Sequence, residues 1–287
     1  MDTSKIISGT MSWGVWGANF KTTEMTDLIE KSVEIGITTF DHADIYGGYT
    51  TEASFGESFK LSSISRNKVQ FITKCGIQYI CDKRPNIVKH YDYSTKYIVK
   101  SVEESLKNLK TEFIDILLLH RPSPLMNPDE IAEAFFKLKK EEKVKSFGVS
   151  NFTQSQIDLL SSEDLIKWNQ FECSLSRPDT FFNGLLDSMI NNKIKSMAWS
   201  PLGDYFKKTS KQNDRIKIIV TKLCKKYQVK ENQILLAWIL KHPGNIIPVV
   251  GTTSPKRLKE SYDAVNLNLN IQDWFLLLEA SLGYKVP

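Results

Sequence analysis

The stretch Thr39-Phe40-Asp41-His42-Ala43-Asp44-Ile45-Tyr46-Gly47-Gly48 joins an apolar run typical of a β-strand to a Gly-Gly turn. Between the run and the turn it carries a carboxylate, Asp41, and a phenol, Tyr46. In α/β barrels the catalytic groups lie where strands end and loops begin. The stretch therefore predicts a strand end that faces an active site.

Apolar β-type runs alternate with amphipathic helical runs along the rest of the chain. Strands are predicted over 6–9, 37–41, 69–74, 114–120, 144–150, 166–172, 194–199 and 246–250. Helices are predicted over 24–35, 53–60, 94–109, 127–138, 153–161, 181–191, 212–228, 231–241, 254–263 and 271–282. This order predicts a parallel sheet and, at 287 residues, an α/β fold of the (β/α)8 TIM barrel type that forms a single domain over 1–287. A doubly wound sheet is the alternative, but the Gly-rich phosphate loop expected after its first strand is missing from the sequence.

Composition and charge narrow the class of protein. The net charge is +5, and the lysines are spread over helical segments, which indicates solvated helix faces rather than a nucleic-acid surface. The four cysteines show no C-x-x-C spacing, so we expect reduced thiols and no metal site. The sequence has no signal-peptide layout at its start and no apolar run long enough for a membrane span, and it therefore favours a cytoplasmic protein.

Polar and aromatic side chains collect at the predicted strand ends. These residues are Asp41, Lys74, His120, Ser150, Asn151, Gln170 and Trp199. Each has an ordinary explanation when it is taken alone, such as a surface lysine, a loop histidine or a helix-capping aspartate. In a barrel, however, the strand ends converge on one face, where these side chains would meet.

The set has a coherent chemistry. A phenol with a pKa near 10 is a poor proton donor at neutral pH, and we expect a nearby ammonium to lower that pKa. A carboxylate would hold the lysine charged, and a histidine could hydrogen-bond a substrate oxygen. Such a set delivers a proton to a carbonyl oxygen that gains negative charge. It supplies no hydride, so a cofactor is required.

Several motifs follow one another in a set order. They are Asp41-x-Ala43-x-x-Tyr46-Gly47, Thr73-Lys74, Asp115-Ile116-Leu117-Leu118-Leu119-His120, Gly148-Val149-Ser150-Asn151-Phe152, Asn169-Gln170, Trp199-Ser200-Pro201-Leu202-Gly203 and Val250-Gly251-Thr252-Thr253. In order and spacing the chain resembles the aldo-keto reductase family over nearly its whole length. The form F-D-H-A-D-I-Y-G-G resembles that of a subgroup of short bacterial members.

The resemblance implies an NADP(H)-dependent oxidoreductase that reduces an aldehyde or ketone to an alcohol. The family's catalytic tetrad maps onto Asp41, Tyr46, Lys74 and His120, with Tyr46 as the proton donor. For the nicotinamide half of the cofactor, the residues implied are Ser150, Asn151 and Gln170 at the carboxamide, Trp199 stacked on the ring, and Ser200, Leu202 and Gly203 at the pyrophosphate.

At the adenosine end, the resemblance implies Gly251, Thr252, Arg257, Glu260 and Ser261. Many family members carry a Lys-Ser pair where this chain has Gly251-Thr252, so one cation is missing from the implied 2′-phosphate site. Arg257 remains, and a guanidinium fork suits a phosphate. NADP(H) is therefore predicted as the cofactor, with NAD(H) as the alternative.

The expected partner is a small carbonyl compound, with no nucleic acid, membrane or obligate protein partner. The family builds its substrate pocket from loops that here contain Trp13, Trp16, Phe20, Tyr205 and Phe206. We expect Trp13, Trp16 and Tyr205 to form aromatic walls for an apolar or aromatic aldehyde or ketone. Arg121, beside His120, raises the separate hypothesis of an anionic substrate.

Two other functions stay open at the level of sequence. One is a cofactor-sensing regulatory subunit, like the potassium-channel β subunits of the same family, which would bind the cofactor tightly with little turnover. The other is a barrel lyase with Lys74 as a Schiff base, since a buried lysine with a lowered pKa can act in this way. The lyase would leave Ser150-Asn151 and the 251–261 loop unexplained.

Overall fold

A computed structural model, which describes residues 3–160 and 165–286, contains a closed barrel of parallel strands. The strands of the described residues are β1 (Ile7–Gly9), β2 (Thr39–Asp41), β3 (Gln70–Cys75), β4 (Ile77–Gln78), β5 (His90–Tyr91), β6 (Ile114–Leu119), β7 (Val144–Ser150), β8 (Ile166–Glu172), β9 (Lys195–Trp199) and β10 (Ile247–Val250). The barrel order is β1-β10-β9-β8-β7-β6-β3-β2, and β4 pairs with β5 in a separate antiparallel hairpin. The predicted (β/α)8 barrel is confirmed.

Helices connect the barrel strands on the outside. Those of the described residues are α1 (Thr22–Glu34), α2 (Thr51–Leu61), α3 (Thr95–Leu109), α4 (Pro128–Lys140), α5 (Gln154–Leu160), α6 (Leu185–Asn191), α7 (Lys211–Tyr227), α8 (Glu231–Leu240), α9 (Pro255–Asp263) and α10 (Ile271–Leu282). Among the residues described, no helix has the length and apolar character needed to cross a membrane.

The largest difference between a predicted and an observed helix lies at the start of α6. The helix predicted over 181–191 begins only at Leu185, because Gly184 has a left-handed backbone with φ +79° and the Asn183 side chain accepts the Leu185 N–H. A short 3₁₀ turn, Asp179–Phe181, takes the place of its start. The last residue of the helix predicted over 153–161 lies outside the described residues.

The β4–β5 hairpin was not predicted. Its strands have two residues each, too few to show the alternation that marks a strand. Gly76 precedes β4 with φ +110°, and a Cβ at this position would lie 2.0 Å from the ring of Tyr93. Glycine is therefore required where β3 leads into the hairpin.

Alternation along the barrel strands decides which side chains reach the site. The barrel interior is filled by Ile7, Ile72, Ile116, Leu118, Trp168, Met197 and Val249. Neighbours such as Leu117 and Leu119 belong instead to the larger core that includes the helices. Since side chains alternate along a strand, the residue two positions after an inward one also points inward. His120, two positions after Leu118, and Lys74, two positions after Ile72, therefore point inward.

The opposite end of the barrel is held by an ion pair. Asp115, at the start of β6, accepts hydrogen bonds from Arg66 Nη2 at 2.7 Å and from the Phe71 backbone N–H at 2.9 Å. The guanidinium carbon of Arg66 lies 4.0 Å from the centroid of the Phe71 ring. The aspartate of the Asp115–His120 motif therefore joins β3 to β6, far from the strand ends that carry the predicted catalytic residues.

Candidate active site

The ammonium of Lys74 lies at the centre of a hydrogen-bonded cluster. The side chain is 1% exposed, and its Nζ lies 2.8 Å and 2.7 Å from the two carboxylate oxygens of Asp41. Nζ also donates to the carbonyl of His42 at 2.8 Å and to Oη of Tyr46 at 3.2 Å. An ammonium has three donors, and these acceptors use all of them. The structure thus brings Asp41, Lys74 and Tyr46 together.

A tight turn places the phenol over the lysine. The Asp44 N–H donates to the Lys74 carbonyl at 3.0 Å, and the Tyr46 N–H donates to the Ala43 carbonyl at 3.1 Å. Gly47 has φ +62°, and a Cβ there would lie 2.5 Å from Thr51 Oγ1. The glycine that follows the phenol therefore lets the chain turn back into α2.

The other polar side chains of this stretch face away from the cluster. His42 is buried, its Nδ1 lies 2.9 Å from Thr10 Oγ1, and its ring centroid is 4.3 Å from that of Phe55. Asp44 accepts a hydrogen bond from Ser101 Oγ at 3.1 Å. These contacts attach the stretch to neighbouring elements of the barrel.

Asp44 is predicted to make stability depend on pH. Burial, and next the charge of Glu52, raises the pKa of Asp44 from 3.8 to about 8. Between these two values the unfolded chain has lost a proton that the folded chain keeps, so stability falls as the pH rises from about 4 to about 8. We expect Asp44→Asn to gain stability over the wild type across this window, by up to about 1.4 kcal/mol per pH unit.

Urea unfolding at several pH values between 5 and 8 measures this effect on Asp44. Asp27, which is exposed on α1, offers the matched control Asp27→Asn. The control should show no growing difference from the wild type. A difference for Asp44→Asn that stays constant with pH would contradict the prediction.

His120 follows β6 and is 7% exposed, with its ring centroid 6.1 Å from that of Tyr46. Burial, and then the positive charges of Lys74 and Arg121, holds the pKa of His120 well below its usual range. The ring is therefore neutral at physiological pH and carries one N–H donor. Its Nδ1 is buried and has no hydrogen-bond partner within the described part of the chain.

The balance of charge and burial sets the pKa of Tyr46 and weakens an alternative. Lys74 lowers the pKa of Tyr46, as expected, but burial raises it by more, so the net direction is upward and the phenol stays protonated. For Lys74, burial lowers the pKa, but Asp41 and Tyr46 together raise it by more, so the net direction is upward. A Schiff-base lysine must lose its proton, so this environment disfavours the lyase.

The residues implied for the nicotinamide carboxamide lie along the same mouth. Asn151, with φ +61°, donates from Nδ2 to Ser150 Oγ at 2.8 Å and accepts the indole N–H of Trp199 at 2.9 Å. Gln170 donates from Nε2 to Asp41 Oδ1 at 2.9 Å, which connects this group to the lysine cluster. Trp199 is half-buried.

The segment after β9 folds into a turn. Ser200 has φ +48° and Gly203 has φ +53°, and the Gly203 N–H donates to the Ser200 carbonyl at 2.8 Å. A Cβ at Gly203 would lie 2.0 Å from Ser176 Oγ, so only glycine fits. Leu202 is half-buried against the outer core. The turn places Ser200, Leu202 and Gly203, the residues that the resemblance implies for the pyrophosphate, directly after β9.

At the implied adenosine site, Arg257 Nε donates to Thr252 Oγ1 at 3.0 Å. Gly251 is exposed, and a Cβ there would meet no atom within 4 Å. Glu260 forms an ion pair with Lys230, which lies at the start of α8. No sequence motif predicts this contact. Ser261 is buried, and its hydroxyl donates to the Arg257 carbonyl at 2.8 Å.

The aromatic residues predicted for a substrate pocket separate into different environments. The prediction is wrong for Trp13, which is 0% exposed and packs edge-on against Phe20 and Phe40 in the core. Trp16 is 40% exposed, and its ring centroid lies 6.3 Å from that of Tyr46. The structure therefore leaves Trp16, but not Trp13, beside the phenol.

Three further aromatic residues, Tyr79, Tyr205 and Phe206, lie in loops near the barrel mouth. Tyr79, from the unpredicted hairpin, has its ring centroid 5.3 Å from that of Trp16. Tyr205 is half-buried, and its hydroxyl donates to Glu231 of α8 at 3.0 Å. Its partner in ring contact, Phe206, is 56% exposed. Within residues 3–160 and 165–286, no cluster of His, Cys, Asp and Glu side chains is arranged to hold a metal ion.

The chain is similar to known proteins over nearly its whole length. The sequence profile of the aldo/keto reductase family matches residues 5–281. The chain is 38% identical to the uncharacterized oxidoreductase YcsN of Bacillus subtilis, over 99% of this chain and 96% of that protein. It is 37% identical to the oxidoreductase YdhF of Escherichia coli, over 96% of this chain and 93% of that protein. A 6-dehydroglucose reductase of Agrobacterium fabrum is 36% identical, over 96% and 94%.

A thermostable aldo-keto reductase, solved with the inhibitor epalrestat, superposes with a TM-score of 0.82 at 24% identity, over 96% of this chain and 94% of the other. At this identity the likeness shows the fold alone. An aldo/keto reductase from Brucella melitensis gives a TM-score of 0.72 at 25% identity with the same coverage.

Proposed function

This chain belongs to the aldo/keto reductase family, and on that premise we propose that it reduces an aldehyde or ketone to an alcohol with NADP(H), using Tyr46 as the proton donor. The observation that carries the proposal is the Lys74 ammonium, which lies between Asp41 and Oη of Tyr46. Because Lys74 donates to the phenol oxygen, the phenol keeps its own O–H to donate to a substrate.

The residues around the barrel mouth fit a nicotinamide dinucleotide. Trp199 presents a half-buried ring, and a Cβ at Gly251 would meet open space. The Arg257 guanidinium forms no ion pair with any described residue. In the proposed complex Ser150, Asn151 and Gln170 hold the carboxamide, Ser200, Leu202 and Gly203 adjoin the pyrophosphate, and Thr252, Arg257 and Glu260 hold the adenosine end. When bound, the nicotinamide cofactor would supply the hydride for the carbonyl carbon.

The side chains of the cluster handle the proton. As the carbonyl π bond breaks and its oxygen gains negative charge, Tyr46 transfers the proton of Oη to that oxygen. The phenolate that remains is stabilised by Lys74, whose Nζ is 3.2 Å from Oη. Asp41 keeps the lysine charged, and neutral His120 donates a hydrogen bond to the same substrate oxygen. The product is the alcohol, with the new O–H proton taken from Tyr46.

The direct test follows NADPH absorbance while the purified protein is mixed with a panel of aldehydes and ketones. Because two relatives, at 36% and 33% identity, are named 6-dehydroglucose reductase, the panel includes carbonyl forms of polyhydroxylated sugars. We expect NADPH oxidation with at least one member. Quenching of tryptophan fluorescence by NADPH without turnover of any member would contradict the proposal and favour the regulatory subunit.

We predict that Arg257 decides the preference for the phosphorylated cofactor. Arg257→Ala should raise the Kd of NADPH about tenfold, because a charged hydrogen bond to phosphate is lost, and should leave the Kd of NADH nearly unchanged. Gly251→Lys should instead lower the Kd of NADPH, since the new side chain enters open space beside Thr252. Fluorescence titration measures both variants, and equal losses for NADPH and NADH would contradict the assignment of Arg257.

A further inference from the structure

Arg121 is a cation at the barrel mouth to which the proposed reaction gives no role. It follows His120 directly, and its guanidinium carbon lies 5.3 Å from the centroid of the Trp199 ring. Because β7 and β8 separate β6 from β9 in the barrel, the side chain reaches across part of the mouth. Among the described residues, no acceptor or carboxylate forms a hydrogen bond or ion pair with the guanidinium.

The Arg121 guanidinium is half-buried, and burial lowers the pKa of Arg121, while Tyr46, Tyr91 and Glu172 oppose that shift. Lys74 is already paired with Asp41, and Lys89 adds a further positive charge near His120. A guanidinium stays protonated in such a setting and carries five N–H donors. These donors have no acceptor among the described residues, and an anionic ligand would supply paired hydrogen bonds to them.

The hydroxyl of Tyr93 holds the backbone of Arg121 through two hydrogen bonds. The Arg121 N–H donates to Oη of Tyr93 at 3.1 Å, and the Tyr93 hydroxyl donates to the Arg121 carbonyl at 2.5 Å. Tyr93 is buried and packs against Gly76, where no Cβ would fit. The guanidinium is therefore attached to a fixed backbone beside the proposed catalytic residues, as a preorganised binding group should be.

We propose that Arg121 binds an anionic oxygen group, a carboxylate or a phosphate, of the carbonyl substrate. The inference rests on the proposed function and names its substrate class, which is aldehydes or ketones with a negative group near the carbonyl. His120 and Tyr46 hold the carbonyl oxygen, and Arg121, the next residue along the chain from His120, holds the anion. Planar guanidinium groups bind carboxylate and phosphate through paired hydrogen bonds.

The test compares matched substrates that differ in charge. Succinic semialdehyde is paired with butanal, and phosphorylated glyceraldehyde with glyceraldehyde. For each pair, the ratio of kcat/KM for the charged member to that for the neutral member is measured in the wild type, Arg121→Gln and Arg121→Lys. Lys89→Gln is the matched control, because Lys89 is an exposed cation in the same region.

We expect the wild type to prefer the charged member of at least one pair. Arg121→Gln should lower that ratio by roughly ten- to a hundredfold, mainly through KM, and Arg121→Lys should lower it less. Lys89→Gln should lower it less than about threefold, because exposed charges contribute little. The pair that responds identifies carboxylate or phosphate. An unchanged ratio in Arg121→Gln, or a wild type that prefers both neutral members, would overturn the assignment.

Two further readouts separate the possible failures. If Arg121→Gln weakens NADPH binding in fluorescence titration and leaves the substrate ratios unchanged, the guanidinium serves the cofactor and the inference is wrong. If the wild type turns over no aldehyde, the proposed function fails, and titration of the NADP-loaded protein with succinate then decides the role of Arg121. Binding that disappears in Arg121→Gln supports the anion site, and equal binding or no binding overturns it.

Discussion

Replacing Tyr46 by phenylalanine is expected to lower kcat for carbonyl reduction by about 100- to 10,000-fold, the range that a positioned proton donor contributes. The phenylalanine ring keeps the contacts with Trp16 and His120, whose ring centroids lie 6.3 Å and 6.1 Å from that of Tyr46. Only the oxygen is lost, so the barrel mouth keeps its shape. The Kd of NADPH should therefore change by less than about twofold, while single-turnover reduction nearly stops.

The pH dependence adds a second readout for Tyr46. A proton donor must be protonated, and burial raises the pKa of Tyr46 above the usual value for tyrosine. The wild-type reduction rate should therefore not fall as the pH approaches about 10, where an ordinary phenol ionises. Tyr284→Phe, an identical substitution at a residue that is 63% exposed, is the control and should keep full activity. A Tyr46→Phe enzyme that retains more than about a tenth of wild-type kcat would contradict the role of the phenol.

Much of the site could be predicted because it follows the alternation of the strands. His120 lies two positions after Leu118, and Lys74 lies two positions after Ile72, and both of these apolar residues fill the barrel interior. Strand ends of a parallel barrel meet at one face, so the register that buries the apolar residues also directs these two polar side chains inward. Local pattern and topology together are enough to predict this part of the site.

Other features depend on packing between distant segments. Trp13 and Trp16 are three residues apart on one loop, yet the first is enclosed by Phe20 and Phe40 and the second borders Tyr46. No periodicity in so short a loop separates the two environments. The net direction of the Tyr46 pKa likewise depends on two quantities, how completely the phenol is buried and how close it lies to Lys74. Neither can be read from the spacing of residues along the sequence.

Removing the Lys74 ammonium should damage both stability and activity. In Lys74→Met the carboxylate of Asp41, which is 3% exposed, keeps only the Gln170 side chain as a described hydrogen-bond donor. An unpaired buried charge of this kind destabilises a protein by about 3–5 kcal/mol, which lowers the Tm by roughly 10 °C in a chain of this size. The kcat should also fall sharply, because the phenolate formed from Tyr46 loses its neighbouring positive charge.

The double variant Asp41→Asn with Lys74→Met separates these two effects. Asparagine removes the unpaired charge and can still accept a hydrogen bond from Gln170, so the Tm should return most of the way to the wild-type value. The kcat should stay low, since no cation faces Oη of Tyr46. A double variant that recovers both Tm and kcat would mean that Lys74 serves only to neutralise Asp41. Recovery of Tm alone requires the ammonium to act on the phenol itself, as its 3.2 Å hydrogen bond to Oη suggests.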